Sequence, residues 1–594
     1  MRKLLCPIFC AAMLLLLIPA AFATDASGLS AFTNSKQYSD GIFTDVSATA
    51  WYAPNVKTVY EKTIMDGTGG GKFDPNSTIS WSQAATIASR IHAAYHGQDI
   101  PAAEGAWYVQ YLNYAWDNGL LPAICPEDDQ VDATPITREG LAVLFRSVLD
   151  EKDLPAINDQ SIPDLDKVRE EYRDAVSEMF ASGIFTGKDG LFDPNGKATR
   201  AEVATIVARL LCPGQRVSQD SRQNPYMADQ MGNLYNGGLC ARLGDTVYYI
   251  YSESVTKGKG NYAFSHAIFA RTDSGQVKQV YQAGESDDSL DLLSVGPDGM
   301  LYFTQRTYQS FDDQWTVLKQ LDPKTGAVKD IYTTARKTMI GLYLFYDNEL
   351  YLHESFSDGR IGRVTGGKLT PLATIPDWEN LYVADTMYCF GGKLYWLQLA
   401  PRDSNGDDRL MILDLETKKT SSVVTEANDF AYQGATLWSA ELTGGDYPIV
   451  LKRRSLAMPE LPEPVRVMDG EFAHYAYNLY ANGSQLYYQG RDAQKLCTLS
   501  PSGALAVAAT ARTPHFEASA VTSQGIALMW HDGATANMNG TSTNVDFILP
   551  DGQRTRLAAI LNQPYFLPGR TSWLLQTIRP FGTRREREQI FPAM

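Results

Sequence analysis

Residues 162–211 read IPDLDKVREEYRDAVSEMFASGIFTGKDGLFDPNGKATRAEVATIVARLL, and parts of this stretch occur twice more upstream. A first copy has FTDVSATAWY at 43–52 and GTGGGKFDPNSTISWSQAATIASRI at 67–91. A second copy has AWYVQYLNYAWDNGLL at 106–121 and ITREGLAVLFRSVL at 136–149. Repetition at a nearly fixed spacing sets the architecture of a chain, because each unit must bury its apolar face against its neighbours.

Each copy ends in a helix that begins at a capping hydroxyl. A tyrosine precedes that hydroxyl by 27 to 29 residues; the pairs are Tyr52 and Ser80, Tyr108 and Thr137, and Tyr172 and Thr199. Ser80 with Gln83, and Thr199 with Glu202, have the spacing of a capping box. Apolar residues follow at the i, i+3, i+4, i+7 spacing of a single helix face. The pattern therefore predicts three amphipathic helices that pack against one another.

These motifs resemble the S-layer homology family, whose pattern runs F-x-D-V, W-Y, G-I-x-x-G…F-x-P and I-T-R-A-E. The copies lie at about 41–97, 104–150 and 162–212. The second keeps the Trp-Tyr pair and TRE but has lost the G…F-x-P segment. The resemblance implies an α-helical module of three prongs that holds exported proteins noncovalently on cell-wall polysaccharide.

The resemblance also implies grooves between the prongs that bind an anionic wall glycan, often one bearing a pyruvate ketal. Arginine suits a planar carboxylate, because its guanidinium can donate two parallel hydrogen bonds. Aromatic pairs could stack on sugar faces, and glycines allow close backbone approach in the loops. Carried over by motif, the glycan-binding candidates are Arg200 of TRAE, Arg138 of TRE, Trp51 with Tyr52, Trp107 with Tyr108, Gly67 and Gly187.

Two departures from the family pattern weaken individual grooves. Trp81 stands where the first copy should have its arginine, so that groove is predicted to be inactive, and Glu171 replaces the tryptophan of the third copy. Alternatives stay open for the other candidates. Each arginine could make only a surface contact in the first helical turn, and each tryptophan could be a core plug between helices. Asp45 and Asp164 are expected to orient local backbone.

From about residue 233 the hydrophobic pattern changes to period two, with turns rich in Gly, Asp and Asn. One strand type occurs seven times; its marker residues are Tyr248, Tyr302, Tyr351, Tyr395, Trp438, Tyr487 and Leu528. A second hairpin follows most of these strands. Four strands per 40 to 55 residues is typical of β-propeller blades. We predict an all-β propeller at 233–580 with seven blades, six or eight staying open, after a polar linker at 213–232.

The N-terminus has the pattern of an export signal. A basic start, an apolar stretch and the A-x-A site at 21–23 predict a signal peptide at 1–23, cleaved after Ala23. A flexible leader at 24–40 follows, and a charged tail occupies 581–594. Removing Arg2 and Lys3 would take the net charge from −16 to −18, which argues against nucleic acid as a partner. No later stretch is long and apolar enough to span a membrane.

Five cysteines follow the signal without a C-x-x-C spacing, which favours buried free thiols, although one disulfide stays open. They are Cys125, Cys212, Cys240, Cys389 and Cys497. The acidic run at 403–408 resembles the start of a calcium loop, but glycine is missing at its sixth position, which favours a polar turn. His92 and His96 share a helix face without a third ligand nearby, so no metal site is predicted.

The sequence has no nucleophile elbow, H-E-x-x-H or P-loop motif, and it predicts no cofactor. The leading hypothesis is a cell-surface protein, held by the helical module, that displays the propeller as a binding module for an unidentified ligand. The alternative is a surface-anchored, glycosidase-like hydrolase with its site in the propeller channel. A purely structural component of the envelope is a third hypothesis.

Overall fold

The structure is a computed structural model. It describes residues 27–48, 50–127, 130–159, 161–187, 191–218, 220–224, 240–257, 260–284, 288–310, 313–355, 359–374, 383–398, 409–424, 427–442, 449–465, 476–482, 485–490, 495–499, 505–510, 516–522, 525–531, 543–549 and 554–560. The predicted signal peptide with its cleavage site, the acidic run at 403–408, the end of the predicted propeller at 561–580 and the charged tail lie outside these residues.

The N-terminal region is helical. Its α-helices are α1 (Ala53–Glu61), α2 (Trp81–His96), α3 (Val109–Asp117), α4 (Arg138–Arg146), α5 (Arg173–Ala181) and α6 (Arg200–Leu211). Short 3-10 helices lie at Gly28–Ala31, Glu151–Asp153, Leu165–Lys167, Glu170–Tyr172 and Pro213–Gln215. The capping boxes predicted at Ser80 and Thr199 are both present, and the Thr137 hydroxyl accepts from the Gly140 amide.

The six helices form three units, which we call unit 1 (α1 and α2), unit 2 (α3 and α4) and unit 3 (α5 and α6). The second helix of each unit packs on the first helix of the next, so that α2 contacts α3, α4 contacts α5 and α6 contacts α1. Asn55 Nδ2 on α1 donates to Thr205 Oγ1 on α6 at 2.9 Å. The units therefore close on themselves around one shared core, as the three apolar stripes require.

Residues 28–38 differ from the flexible leader that the sequence predicts. Leu29 and Phe32 are buried in the core of the helical module. The amides of Ser35 and Lys36 both donate to the carbonyl of Glu61, the last residue of α1, at 2.8 and 3.1 Å. Most residues of this segment are polar, but Leu29 and Phe32 are apolar, and their burial holds the segment against unit 1.

The C-terminal region is a β-propeller, and its described strands form seven sheets of four antiparallel strands. Sheet 1 contains β1 (Cys240–Leu243), β2 (Thr246–Lys257), β3 (Gly260–Thr272) and β4 (Val277–Gln282). Sheet 2 contains β5 (Asp288–Val295), β6 (Leu301–Tyr308), β7 (Gln314–Leu321) and β8 (Val328–Thr333). Sheet 3 contains β9 (Met339–Tyr346), β10 (Glu349–Ser355), β11 (Arg360–Thr365) and β12 (Lys368–Thr374).

Sheets 4 to 7 continue in chain order. They contain β13 (Val383–Phe390), β14 (Lys393–Gln398), β15 (Arg409–Asp414), β16 (Thr420–Val424); β17 (Ala427–Gln433), β18 (Thr436–Leu442), β19 (Ile449–Ser455), β20 (Met458–Val465); β21 (Ala476–Asn482), β22 (Gln485–Gly490), β23 (Lys495–Leu499), β24 (Leu505–Thr510); β25 (Phe516–Thr522), β26 (Gly525–His531), β27 (Thr543–Ile548) and β28 (Arg554–Ile560).

The sheets follow one another around a ring. First strands of neighbouring sheets meet where β1 contacts β5, β9 contacts β13, β17 contacts β21 and β21 contacts β25, and β28 of the last sheet contacts β2 of the first. Each marker residue named from the sequence lies in the second strand of a different sheet. Tight hairpins join the strands; Asp347 and Asn348, for example, both have the positive φ that a type I′ turn requires.

The segment between the two regions lies against the propeller. We call residues 213–218 and 220–224 the strap. The strap contacts sheets 5, 4, 3 and 2, mainly near the turns that join their first and second strands. Its side chains bond to propeller main chain, where Ser218 Oγ accepts from Ala435 N (2.7 Å), Gln223 Nε2 donates to Cys389 O (2.6 Å) and Asn224 Nδ2 donates to Val295 O (3.0 Å).

Apolar contacts join the helical module to the propeller directly. Met458, at the start of β20, is buried in the core of the helical module, and Leu461 packs against it. In return Ile157 of unit 3 belongs to a propeller cluster that includes Tyr388 and Tyr432. These contacts extend one core across both regions at sheet 5.

Two further findings concern the chain as a whole. Of the five cysteines that follow the predicted signal, Cys125 is half-buried and the others are buried, and none of the five forms a disulfide in the described part of the chain. Among the helices that the structure describes, none has the length and hydropathy of a membrane span.

Candidate functional site

The three units meet at junctions built in the same way. The N-terminus of each second helix docks on a loop of the next unit, whose carbonyls accept the first free amides of the helix. The main-chain bonds run from Trp81 to Thr134 (3.1 Å), from Arg138 to Gly196 (2.9 Å) and from Arg200 to Ser77 (2.8 Å). A helix N-terminus always has amides that need partners outside the helix. Here the neighbouring unit supplies them.

Arg200, the first residue of α6, reaches across the junction from unit 3 to unit 1. Its Nε donates to the carbonyl of Phe73 at 2.8 Å and its Nη2 donates to the carbonyl of Asp66 at 2.9 Å. The guanidinium lies 5.0 Å from the centroid of the Phe73 ring. The residue is only 8% exposed, and burial lowers the pKa of its guanidinium.

Arg138 repeats this geometry at the junction from unit 2 to unit 3. Its Nε donates to Phe192 O at 2.7 Å and its Nη2 donates to Thr186 O at 2.9 Å. The side chain is 6% exposed, and burial lowers its pKa. The alternative of a mere surface contact is therefore wrong for both arginines. Each ties a loop of the neighbouring unit in place, and within the described residues neither Nη1 has a hydrogen-bond partner.

Gly67 and Gly187 directly follow the carbonyls that accept these Nη2 bonds. A Cβ on Gly67 would lie 2.5 Å from Lys72 O, which no real side chain allows, and a Cβ on Gly187 would lie 3.2 Å from Leu191 O. Gly67 is therefore required for its loop to close tightly on itself, whereas a side chain at Gly187 would need a small shift of the loop. This packing role exists whether or not a ligand approaches the backbone.

Asp45 and Asp164 hold the same loops from inside. The carboxylate of Asp45 accepts from the amides of Phe73 and Asp74, both at 2.8 Å, and that of Asp164 accepts from Phe192 and Asp193 at 2.7 and 2.9 Å. Burial opposes ionisation of each carboxylate, but these hydrogen bonds outweigh it and lower the pKa of both below 3.8. Both aspartates orient local backbone, as expected.

These lowered pKa values predict an acid-sensitive module. An ionised carboxylate with a depressed folded-state pKa stabilises the fold above its ordinary pKa, and the stabilisation is lost as the pH falls through the folded-state value. We expect the melting temperature of the chain to fall steeply below about pH 4. Asp164→Asn should lower the melting temperature at pH 7 and flatten this acid-induced fall, whereas Asp99→Asn, at an exposed position, should do neither. If melting temperature depended on pH in the same way in both variants, the role of Asp164 would be contradicted.

Trp81 takes the place of the arginine at the junction from unit 1 to unit 2. It is 3% exposed, and its ring packs so closely on Gly140 that a Cβ there would lie 2.9 Å from it. An indole thus fills the space that a guanidinium occupies at the other two junctions. The prediction that this groove is inactive stays a prediction.

The tryptophans at the starts of α1 and α3 are exposed. Trp51 and Trp107 keep 64% and 56% of their accessible surface, so the alternative of a core plug is wrong for both. Each ring stands edge-on to the next residue, with centroids 5.4 Å apart for Trp51 and Tyr52 and 5.5 Å apart for Trp107 and Tyr108. Both tyrosines are half-buried against the core and support the exposed indoles.

The candidate residues are thus divided among the junctions. The junction of units 3 and 1, where α6 packs on α1, contains Arg200, Gly67, and Trp51 with Tyr52. The junction of units 2 and 3 contains Arg138 and Gly187, but its helix α5 is preceded by the exposed Glu171 instead of tryptophan. The junction of units 1 and 2 contains Trp107 with Tyr108 but no arginine at the helix start.

His92 and His96 lie with ring centroids 4.3 Å apart on α2. The hydroxyl of Tyr114 lies 2.9 Å from His92 Nδ1, and burial lowers the pKa of His92 to about 4. The pair belongs to the packing of α2 against α3. Across the described part of the chain, no three His, Cys, Asp or Glu side chains are grouped closely enough to hold a metal ion.

Comparison with known proteins places these units in a family context. The model of the S-layer homology domain matches residues 42–85 and 161–204. An endoglucanase of Bacillus sp. (strain KSM-635) is 24% identical over 210 residues, which are 33% of this chain and 22% of that protein. A surface-layer 125 kDa protein of Lysinibacillus sphaericus is 26% identical over 160 residues, which are 25% of this chain and 13% of that protein.

Among solved structures the similarity is low. The virginiamycin B lyase of Staphylococcus aureus is 12% identical with a TM-score of 0.32, over 57% of this chain and 98% of that one. This similarity supports no conclusion about activity. The chain spans less than a quarter of the curated relatives described above. The chain carries S-layer homology domains at residues 42–85 and 161–204, in units 1 and 3 of its helical module, ahead of a β-propeller.

Proposed function

We propose that the helical module retains the protein on an anionic cell-wall polysaccharide and displays the propeller at the cell surface as a binding module. The S-layer homology domains indicate a cell-surface protein associated with the cell wall, and such domains generally bind wall polysaccharide. Relatives named as a surface-layer protein and a cell surface protein support the same location.

One observation carries the choice of site. At the junction of units 3 and 1, α6, which begins at Arg200, packs on α1, which the exposed Trp51 precedes, and this packing supports the choice. We propose that Arg200 Nη1 pairs with an anionic group of the glycan, a pyruvate ketal for example, while Trp51 and Tyr52 contact a sugar face. Because Nε and Nη2 already bond to loop carbonyls, the arginine would offer one further donor instead of a bidentate fork.

The other junctions have incomplete sets and are proposed as weaker sites. Arg138 with Gly187 offers a charge without a stacking indole, and Trp107 with Tyr108 offers an aromatic pair without the charge. The propeller is proposed to bind a ligand that is not yet identified. The hydrolase alternative predicts turnover by the propeller, so the binding experiments below should also follow release of reducing sugar.

Trp51→Ala should weaken binding of soluble wall polysaccharide to the full chain. An aromatic contact contributes about 0.5–1.5 kcal/mol beyond its buried area, which corresponds to about 2- to 12-fold in Kd. Titration calorimetry measures this directly. The fold should not change, because the ring is exposed.

Trp107→Ala is the matched control, since it removes an equally exposed indole from a junction that lacks the arginine. We expect a smaller loss of affinity for Trp107→Ala than for Trp51→Ala. An equal or larger loss would show that the site is wrongly assigned to units 3 and 1, while release of reducing sugar would favour the hydrolase.

A further inference from the structure

In units 1 and 3 an extended segment covers the C-terminal end of the first helix. The amides of Ser35 and Lys36 donate to the carbonyl of Glu61, the last residue of α1. In unit 3 the amides of Ile157 and Asn158 donate in the same way, at 2.7 and 2.9 Å, to the carbonyl of Ala181, the last residue of α5. Two consecutive amides thus bond to one terminal carbonyl in both units.

In unit 1 the same segment also covers the aromatic ring that precedes this carbonyl. In unit 1 the Tyr60 ring is met by Tyr38 at 5.9 Å and by Phe43 at 5.4 Å, both nearly perpendicular, and Lys36 Nζ lies 5.0 Å from its centroid. In unit 3 the equivalent ring is Phe180, which packs against the core.

In the described part of unit 2, no such segment covers the C-terminal end of the first helix, α3. The equivalent residues, eight and nine positions after Tyr108, are Trp116 and Asp117, and α3 ends at Asp117. Trp116 is 77% exposed, and in the described residues no donor reaches the Asp117 carbonyl. Residues 101–107, which precede α3, are all exposed. We call the Trp116 ring with the Asp117 carbonyl the α3 end site.

We propose that the α3 end site binds an extended peptide segment of a partner protein, bearing an aromatic side chain, in the way that residues 35–43 cover unit 1. The Asp117 carbonyl is free to accept main-chain donors, and consecutive amides bond to the equivalent carbonyls of units 1 and 3. The indole is matched by an edge-on aromatic ring, the arrangement that Tyr38 and Phe43 adopt on Tyr60. Main-chain bonds with side-chain specificity are a common mode of peptide recognition.

This interaction is separate from glycan retention, since Trp116 lies at the far end of α3 from Trp107. The chain would thereby attach a second protein through unit 2 while the junction of units 3 and 1 holds the wall. The second copy lacks the F-x-D-V segment, whose phenylalanine, Phe43, meets the Tyr60 ring in unit 1.

The test uses a fluorescein-labelled peptide with the sequence of residues 34–43, NSKQYSDGIF, titrated with the full chain and followed by fluorescence anisotropy. We expect saturable binding that weakens at least tenfold in Trp116→Ala and is unchanged in Trp107→Ala, an exposed tryptophan outside the site. A peptide N-methylated at its Ser and Lys amides should also lose at least tenfold.

Three outcomes would overturn the proposal. One is the absence of saturable binding to the full chain. Another is an equal loss in Trp116→Ala and Trp107→Ala. The third is displacement of the peptide by soluble wall polysaccharide, which would assign the site to sugar. Failure of the glycan titration on Trp51→Ala would leave this peptide result unaffected, because different residues carry the two sites.

Discussion

Arg200→Ala should destabilise the helical module by roughly 2–4 kcal/mol, because it leaves a buried loop carbonyl and a part-buried one without their charged donor. The carbonyls belong to Phe73 and Asp66 of unit 1, so the variant opens the contact that closes the three units. Urea unfolding followed by circular dichroism at the helical band measures the change. The stability of Arg200→Lys should lie between those of the parent chain and Arg200→Ala, because an ammonium cannot reach both carbonyls in the same plane.

Lys152→Ala serves as the control, because its side chain is 69% exposed and forms only a surface ion pair. We expect the control to stay within about 0.5 kcal/mol of the parent chain. Equal stability of Arg200→Ala and Lys152→Ala would contradict the structural role of Arg200. Loss of glycan binding in Arg200→Ala alone does not identify a ligand contact, which is why Trp51 is the better probe.

Asp220→Ala should destabilise the chain by about 1–3 kcal/mol, because it leaves the buried hydroxyl of Tyr346 without its acceptor. The side chain of Asp220 is 2% exposed and accepts from Tyr346 Oη at 2.8 Å, from Gly391 N at 2.7 Å and from Arg222 Nε at 2.9 Å. These bonds fasten the strap to sheets 3 and 4. Chemical unfolding followed by tryptophan fluorescence reports the loss.

Asp273→Ala is the comparison for Asp220→Ala. Asp273 also pairs with an arginine, Arg242, but its side chain is 46% exposed, and an exposed pair contributes at most about 1 kcal/mol. Similar losses for the two variants would contradict a fastening role of the strap. If that role is right, a propeller fragment that begins at residue 213 should be more stable than one that begins at residue 233.

Local features of this fold could be predicted from the sequence. The capping boxes at Ser80 and Thr199, the apolar stripes and the marker strands depend on neighbouring residues and on simple periodicity. The strap could not be predicted, because its polar sequence gives no sign that Asp220, Gln223 and Asn224 bond to buried main chain far away in the sequence.

The site was only partly predictable for the same physical reason. The motif identifies Arg200, but its partners lie 127 and 134 residues away, so the burial of its guanidinium follows only from the closed ring of units. The exposure of Trp51 likewise depends on packing. Trp116 did have a signal, since the second copy lacks the F-x-D-V segment whose equivalent covers Tyr60 in unit 1.

Sedimentation of the full chain with purified sacculi tests the central claim of wall retention most directly. Sacculi that keep their secondary polysaccharide should pellet the chain, Trp51→Ala should pellet less, and sacculi stripped of that polymer should leave the chain in the supernatant. Equal pelleting with intact and stripped sacculi would contradict the account, because the helical module would then contact peptidoglycan rather than the anionic polysaccharide.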